Sequence, residues 1–236
     1  MKILVFGANG PTGRRVTQQA LDEGHEVTAF TRRAFPRRHE RLRVHTGDVH
    51  DPGSVDDAVA GQDAVISALG VPYTRKPVSV YSRGGAHIVA AMERHGVRRL
   101  VCVTSTVTGS DHVQTGGFVF NRILQPFLVN VVGRTVYADM AALEAAVRAS
   151  DLDWTIVRPS GLYDADEVTA YRVGKDHVEG RFTSRADLAD CLLRQVTDDQ
   201  YVRAAIGVVT VVGEPSIATL IWREAFKGGR GARGAR

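Results

Sequence analysis

Three glycines at three-residue intervals, Gly7, Gly10 and Gly13, punctuate the run Phe6-Gly7-Ala8-Asn9-Gly10-Pro11-Thr12-Gly13 near the start of the chain. Each position can do what a side chain would prevent: a tight turn out of a strand, close approach of backbone to a pyrophosphate, and tight packing of helix on sheet. The apolar run Lys2–Phe6 precedes them, and a segment with Val16, Ala20 and Leu21 at helical spacing follows. That strand, turn and helix context is what a dinucleotide-binding loop requires, because the N–H groups and dipole at the helix start favour an anionic ligand. Gly7, Asn9, Gly10, Pro11, Thr12 and Gly13 are therefore candidate cofactor-binding residues.

About twenty positions past the glycines, NAD-selective sites carry an acid that binds the ribose hydroxyls. Here the stretch reads Phe30-Thr31-Arg32-Arg33. An acid would repel a 2′-phosphate, whereas a guanidinium pairs with it. NADP(H) is thus expected over NAD(H), with Arg32 the main selector and Thr31 and Arg33 as helpers. Gly47-Asp48-Val49 and Ser67-Ala68-Leu69-Gly70 end two further strands, at the sheet edge where such folds bind ligands. Asp48 could accept from the adenine amino group with Val49 against the ring, or could cap the helix starting near Pro52. Ala68, Leu69 and Gly70 would leave room beside the nicotinamide ribose. Ser105, after Thr104 at the end of another strand, places a hydroxyl where it could orient substrate or stabilise developing negative charge; a plain turn role is the alternative.

These residues need a sheet to hold them. Apolar runs predict strands over 2–6, 26–30, 42–45, 64–67, 100–104, 154–157 and 206–212, with helices over 14–23, 54–60, 81–95, 136–150 and 185–197. This alternation predicts an α/β fold, a Rossmann-type doubly wound parallel sheet with helices on both faces and a small C-terminal substrate-binding portion. Residues 1–227 are read as a single NAD(P)-binding domain with pocket insertions near 106–133 and 159–183. Within the first insertion Phe120, Ile123, Leu124, Phe127, Leu128, Val131 and Val132 fall at helical spacing, interrupted by Pro126, and suit either a substrate pocket or a packed face. Both monomer and homodimer fit this pattern.

Composition narrows the partners. The 236 residues are 44% hydrophobic and 24% charged, a balance that fits a folded enzyme and excludes a disordered chain. The net charge of +4 gathers around Arg32 to Arg43 and in a Gly/Arg tail, residues 228–236, expected to be disordered. That tail has no aromatic residues to stack on bases, which argues against nucleic acid. Two cysteines, Cys102 and Cys191, in a predicted strand and helix, read as core filler, and the eight histidines show no metal-ligand spacing. No apolar stretch is long enough to cross a bilayer and no signal peptide is evident, so a cytoplasmic location is expected.

Together these pieces resemble the atypical short-chain dehydrogenase/reductases of the NmrA-like, NAD(P)H-binding family that includes biliverdin IXβ/flavin reductases. The motifs that carry the likeness are the glycine run, Gly47-Asp48-Val49, Val103-Thr104-Ser105-Thr106, Asp151-Leu152-Asp153-Trp154-Thr155-Ile156-Val157-Arg158-Pro159 and Ser184-Arg185-Ala186-Asp187-Leu188-Ala189. The resemblance implies NADPH binding, with Pro159, Ser160, Gly161 and Leu162 near the nicotinamide. It leaves Arg158 and Arg185 as possible loop anchors and Ser184 as a possible helix cap.

One departure matters. Ordinary short-chain dehydrogenases place a lysine four positions after the proton-transferring tyrosine. Here Tyr137 is followed at that distance by Ala141, and Tyr73, Tyr81 and Tyr163 by Pro77, Gly85 and Glu167. Hydride transfer to a flavin, quinone or similar planar conjugated acceptor does without the pair, because the acceptor delocalises charge and solvent supplies the proton. An NADPH-dependent reductase of a small-molecule hydride acceptor is the leading reading, with Ser105 its candidate catalytic residue. A non-catalytic NADP(H)-sensing regulator that binds a protein partner is the alternative, and an NADP-dependent epimerase or dehydratase a weaker one.

Overall fold

A computed structural model describes residues 1–72, 74, 76–108 and 133–212. The apolar stretch of the first insertion beyond residue 108, Tyr73 and the Gly/Arg tail lie outside the described residues.

The element order is β1 (Lys2–Phe6), α1 (Pro11–Asp22), β2 (Glu26–Thr31), β3 (Leu42–Thr46), α2 (Pro52–Val59), β4 (Ala64–Ser67), α3 (Ser82–His95), β5 (Arg99–Val103), a 3-10 turn (Thr106–Thr108), α4 (Arg134–Ala149), β6 (Asp153–Pro159), β7 (Gly161–Tyr163), β8 (Tyr171–Lys175), β9 (Phe182–Ser184), α5 (Arg185–Thr197) and β10 (Ala204–Thr210). Eight strands form one sheet in the order β3-β2-β1-β4-β5-β6-β10-β8. Every pairing is parallel except that of β8, which runs antiparallel along β10. The strand order reverses beside β1, and β1 therefore delivers its carboxyl end into the crevice between β2 and β4, where doubly wound sheets bind ligands. This is the Rossmann-type architecture expected.

The central strands are buried on both faces, which is why they read as unbroken apolar runs. In β1 the period of two sends Leu4 and Phe6 into a core with Val65, Leu100, Ile88, Met92 and Leu143, under α2, α3 and α4. Ile3 and Val5 point the other way, to Val16, Ala20, Leu188 and Leu192 of α1 and α5.

Several boundaries moved by one to three residues. Helix α1 begins at Pro11 instead of Arg14, because proline is preorganised for the first helical position, and the second half of the glycine motif is thereby the first turn of the helix. The last strand runs Ala204–Thr210, leaving Val211 and Val212 exposed beyond it. Short β7, β8 and β9 carry no continuous apolar signal and were not anticipated: β8 borders the sheet with a half-exposed pattern, and β7 pairs only with β9.

Candidate functional site

The glycine loop is shaped by backbone. Gly7 has φ +73°, and its Cα faces the Ala68 carbonyl so closely that a Cβ would overlap it. A Cβ on Gly13 would overlap the Gly7 carbonyl. Gly10 differs: its φ is −73°, it donates to Gly7 O at 2.9 Å, and an added Cβ would meet only that oxygen, at 3.2 Å. Space therefore opens above Gly10, the N-cap of α1, whose first-turn N–H groups receive no side-chain cap. An open, donor-rich cradle of this form fits a pyrophosphate.

Around it lie the other candidates. Asn9 Nδ2 donates to Ala34 O at 3.3 Å, tying the glycine loop to the loop after β2. Arg32 and Arg33 in that loop are exposed. Thr31 is buried, and its hydroxyl donates to Arg33 O at 3.0 Å and accepts from Arg33 N at 3.3 Å, so it shapes the loop that carries the arginines.

After β3, Asp48 Oδ1 accepts from the backbone N and the Nδ1 of His50, at 2.9 and 3.0 Å, and His50 Nε2 lies 3.2 Å from Ser79 Oγ. A carboxylate only accepts, so Nδ1 donates to it. The His50 backbone bond, with its ring and the charge of Arg32 adding to it against partial burial, holds the Asp48 carboxyl below its usual range. The helix-capping alternative for Asp48 is not what the structure has: Asp51 caps α2, accepting from Gly53 N at 3.0 Å, because the chain turns once more before the helix starts. Val49 is buried, and its side chain faces Gly84 of α3, where an added Cβ would come within 2.6 Å of it. Its carbonyl accepts from His87 Nδ1 at 2.9 Å. Ala68 and Leu69 are partly exposed and Gly70 is open, with nothing near an added Cβ.

Thr104 and Ser105 follow β5. Ser105 Oγ accepts from Val107 N at 3.3 Å and its carbonyl accepts from Thr108 N at 3.0 Å, the pattern of a turn-capping serine that keeps its own O–H proton available. Behind the turn sits Glu144 of α4, buried. Its Oε1 accepts from Thr104 Oγ1 at 2.7 Å, Thr108 Oγ1 at 2.6 Å and Arg158 Nε at 3.0 Å. Burial would raise this carboxyl, but Arg158 and the two threonine hydroxyls outweigh it and hold it below its usual range. Pro159 is buried at the end of β6; Ser160 N donates to Thr183 Oγ1 at 3.0 Å, and Gly161 and Leu162 are exposed in β7. Arg185 anchors a loop through Asp164, 3.0 Å away, and Ser184 caps α5 by accepting from Asp187 N at 3.0 Å.

The loops that carry these positions follow the carboxyl ends of parallel strands β1 to β6, along one edge of the sheet, with Glu144 on α4 behind them. Sequence reasoning missed Arg14, His50, Ser79, Thr108 and Glu144. Both cysteines are buried, which pushes each thiol up to about 12 and removes them as nucleophiles at neutral pH. An open cleft of about 730 Å³ lies at the opposite, amino-terminal edge, between Gln62, Asp63, Arg98, Arg99, Asp153 and Asp199. Arg98 is paired with Asp153 there and Arg99 is spent on backbone carbonyls and Thr155, so its shape is a by-product of strand starts remote from the glycine loop. Among the described residues no three His, Cys, Asp or Glu side chains could hold a metal, and no helix is long and apolar enough to cross a membrane.

With this geometry in view, the comparison with known proteins is direct. The profile of an NAD(P)H-binding family matches residues 7–199. The chain belongs to that family. An oxidoreductase of Emericella nidulans is 26% identical over 241 residues, 92% of this chain and 85% of that relative's length. An uncharacterized chloroplastic protein of Arabidopsis thaliana is 31% identical over 175 residues, 68% of this chain and 59% of that relative's length. A short-chain dehydrogenase/reductase of Veillonella parvula, solved in complex with NADP, superposes with TM-score 0.73 at 22% identity, covering 91% of this chain and 95% of that one. An anaerobillin reductase of Escherichia coli O157:H7 superposes with TM-score 0.71 at 21% identity, covering 92% and 100%. At these identities the two structures establish the fold.

Proposed function

We propose that the chain is an NADPH-dependent reductase that passes hydride to a planar conjugated acceptor such as a flavin or quinone, residues 1–227 acting as one unit. The observation that carries the reading is the pairing of an open glycine cradle with the exposed Arg32 after β2, where an NAD-selective site would hold an acid. The cradle would take the pyrophosphate, Arg32 the 2′-phosphate, and Asp48, held by His50, the adenine amino group. Bound there, the dihydronicotinamide would supply a hydride, two electrons with one proton, and the acceptor would take its one further proton from solvent. Ser105, whose Oγ accepts from Val107 N, would offer its hydroxyl proton to the acceptor; Ala141 stands four positions after Tyr137, where a proton-relaying lysine would be required for carbonyl chemistry. Positioning does most of the work, which suits a site built from strand ends.

The test is NADPH oxidation by the purified protein against FMN, riboflavin, simple quinones and biliverdin, with NADH as control and nucleotide binding measured on the same sample. Saturable turnover favouring NADPH is expected. Tight NADPH binding without turnover on any acceptor would replace the reductase with a nucleotide sensor, the reading that Ala141, four positions after Tyr137, also permits; Tyr171 and Lys175 have the spacing of a catalytic pair but lie in strand β8, where the Tyr171 hydroxyl donates to Asp190.

A further inference from the structure

Arg14 sits in the first turn of α1, exposed, beside the cradle. Its Nε donates to Asn9 O at 3.0 Å and Asn9 Oδ1 at 2.9 Å, and its Nη2 to Asn9 Oδ1 at 2.6 Å. These acceptors are neutral, and no carboxylate lies within 4.0 Å of Arg14 among the described residues, whereas Arg15, one position on, pairs with Asp166. A guanidinium has five N–H donors. The bonds to Asn9 leave both Nη1 protons and one Nη2 proton without an acceptor among the described residues, on a head group whose orientation is already fixed.

Asn9 also faces the other way. Its Nδ2 donates to Ala34 O, so one neutral amide joins Arg14 to the loop bearing Arg32 and Arg33. Arg14 at the start of α1 is thus joined to the loop that carries Arg32 and Arg33, and the charge of Arg32 is felt by Asp48, a carboxylate already bonded to His50. A guanidinium oriented by neutral acceptors, with donors to spare, is suited to take an oxyanion.

We propose that Arg14 is a specificity-determining residue: a second guanidinium for the 2′-phosphate of the adenosine ribose, presented by Asn9 opposite Arg32. This rests on the cofactor reading above. The assignment makes Asn9 a positioning residue, accepting from Arg14 on one side of the amide and donating to the selector loop on the other.

Calorimetric binding of NADP+, NAD+, 2′,5′-ADP and 5′-AMP to wild type, Arg14→Met and Arg14→Lys tests it without recourse to turnover. Arg14→Met, which keeps the aliphatic stem, is expected to weaken NADP+ and 2′,5′-ADP by about tenfold or more, as for loss of a charge-assisted bond, with NAD+ and 5′-AMP little changed. Arg14→Lys should recover part of the loss. Equal weakening of all four ligands would make Arg14 a loop support and overturn the proposal, as would no change in any. A wild type that binds NAD+ as tightly as NADP+ would overturn the cofactor reading itself, a result distinguishable because it needs no variant.

Discussion

Arg158 and Glu144 form a buried ion pair, Nη2 to Oε2 at 2.5 Å, that joins the end of β6 to the middle of α4 directly behind the Ser105 turn. Both side chains are under one-tenth exposed. The pair works only because Thr104 and Thr108 add hydrogen bonds to the same carboxylate, since an isolated buried pair seldom repays its desolvation. Glu144→Ala strands a buried cation and two hydroxyls, and is expected to cost about 3–5 kcal/mol in urea unfolding.

The same carboxylate sets an acid limb. Its folded pKa lies below the ordinary value of 4.5, so its contribution is fully present above that value and is lost as pH falls through the folded one. Wild type should therefore lose stability below about pH 4.5 more steeply than Glu144→Gln, which has no proton to take up. Parallel acid limbs in thermal unfolding would show that folding leaves the titration of Glu144 unshifted.

The glycines should separate by what they fail at. Gly7→Ala forces a Cβ onto a φ of +73° and against the Ala68 carbonyl, so it loses about 1–2 kcal/mol from conformation alone and more from the overlap. Gly10→Val has an ordinary φ and open space, and is expected to cost only about 1 kcal/mol, as a poor N-cap, while abolishing binding of both nucleotides. Retained binding in Gly10→Val would remove the pyrophosphate from this loop.

Arg32→Ala is expected to weaken NADPH by about tenfold or more and NADH hardly at all, the loss of one charge-assisted contact. Equal weakening of both nucleotides in a direct titration would mean that the exposed arginine is only a solvated side chain.

Ser105→Ala removes a hydroxyl whose oxygen caps Val107 N–H at a partly exposed position, and should cost about 1 kcal/mol of stability or less. Turnover is expected to fall severalfold in kcat with nucleotide affinity unchanged. An unaltered kcat would confine Ser105 to its turn.

What could be read from the chain was what is local. The glycine run, the strand that feeds it and Ser184 at its helix start declare themselves within a few residues, because turn and cap chemistry is short-ranged. The ties between distant segments were silent: His50 meets Ser79 across 29 positions, and Arg158 was legible only as a loop anchor. A signal for Glu144 existed. The buried stripe of α4 runs Val136, Asp139, Leu143, Glu144 and Val147, so two acids occupy positions that the helical period assigns to the core. An acid on an inner stripe must find donors, and Asp139 finds them too, from Tyr81 N at 2.8 Å and the Ser82 hydroxyl. Strands β7, β8 and β9 gave no comparable signal, being three to five residues long and without an apolar run.

The near-contact between Gly7 and Ala68 is made of main chain on both sides, with Ala68 N also donating to Phe6 O at 3.0 Å. No exchange of side chains can lengthen or shorten it short of replacing Gly7. The loop after β1 and the loop after β4 are thus held at a fixed gauge, like two marks on one ruler. Substitution can retune what each loop recognises while the span between them stays constant, so a chain built this way can change its chemistry at one end of an elongated ligand without losing its grip on the other.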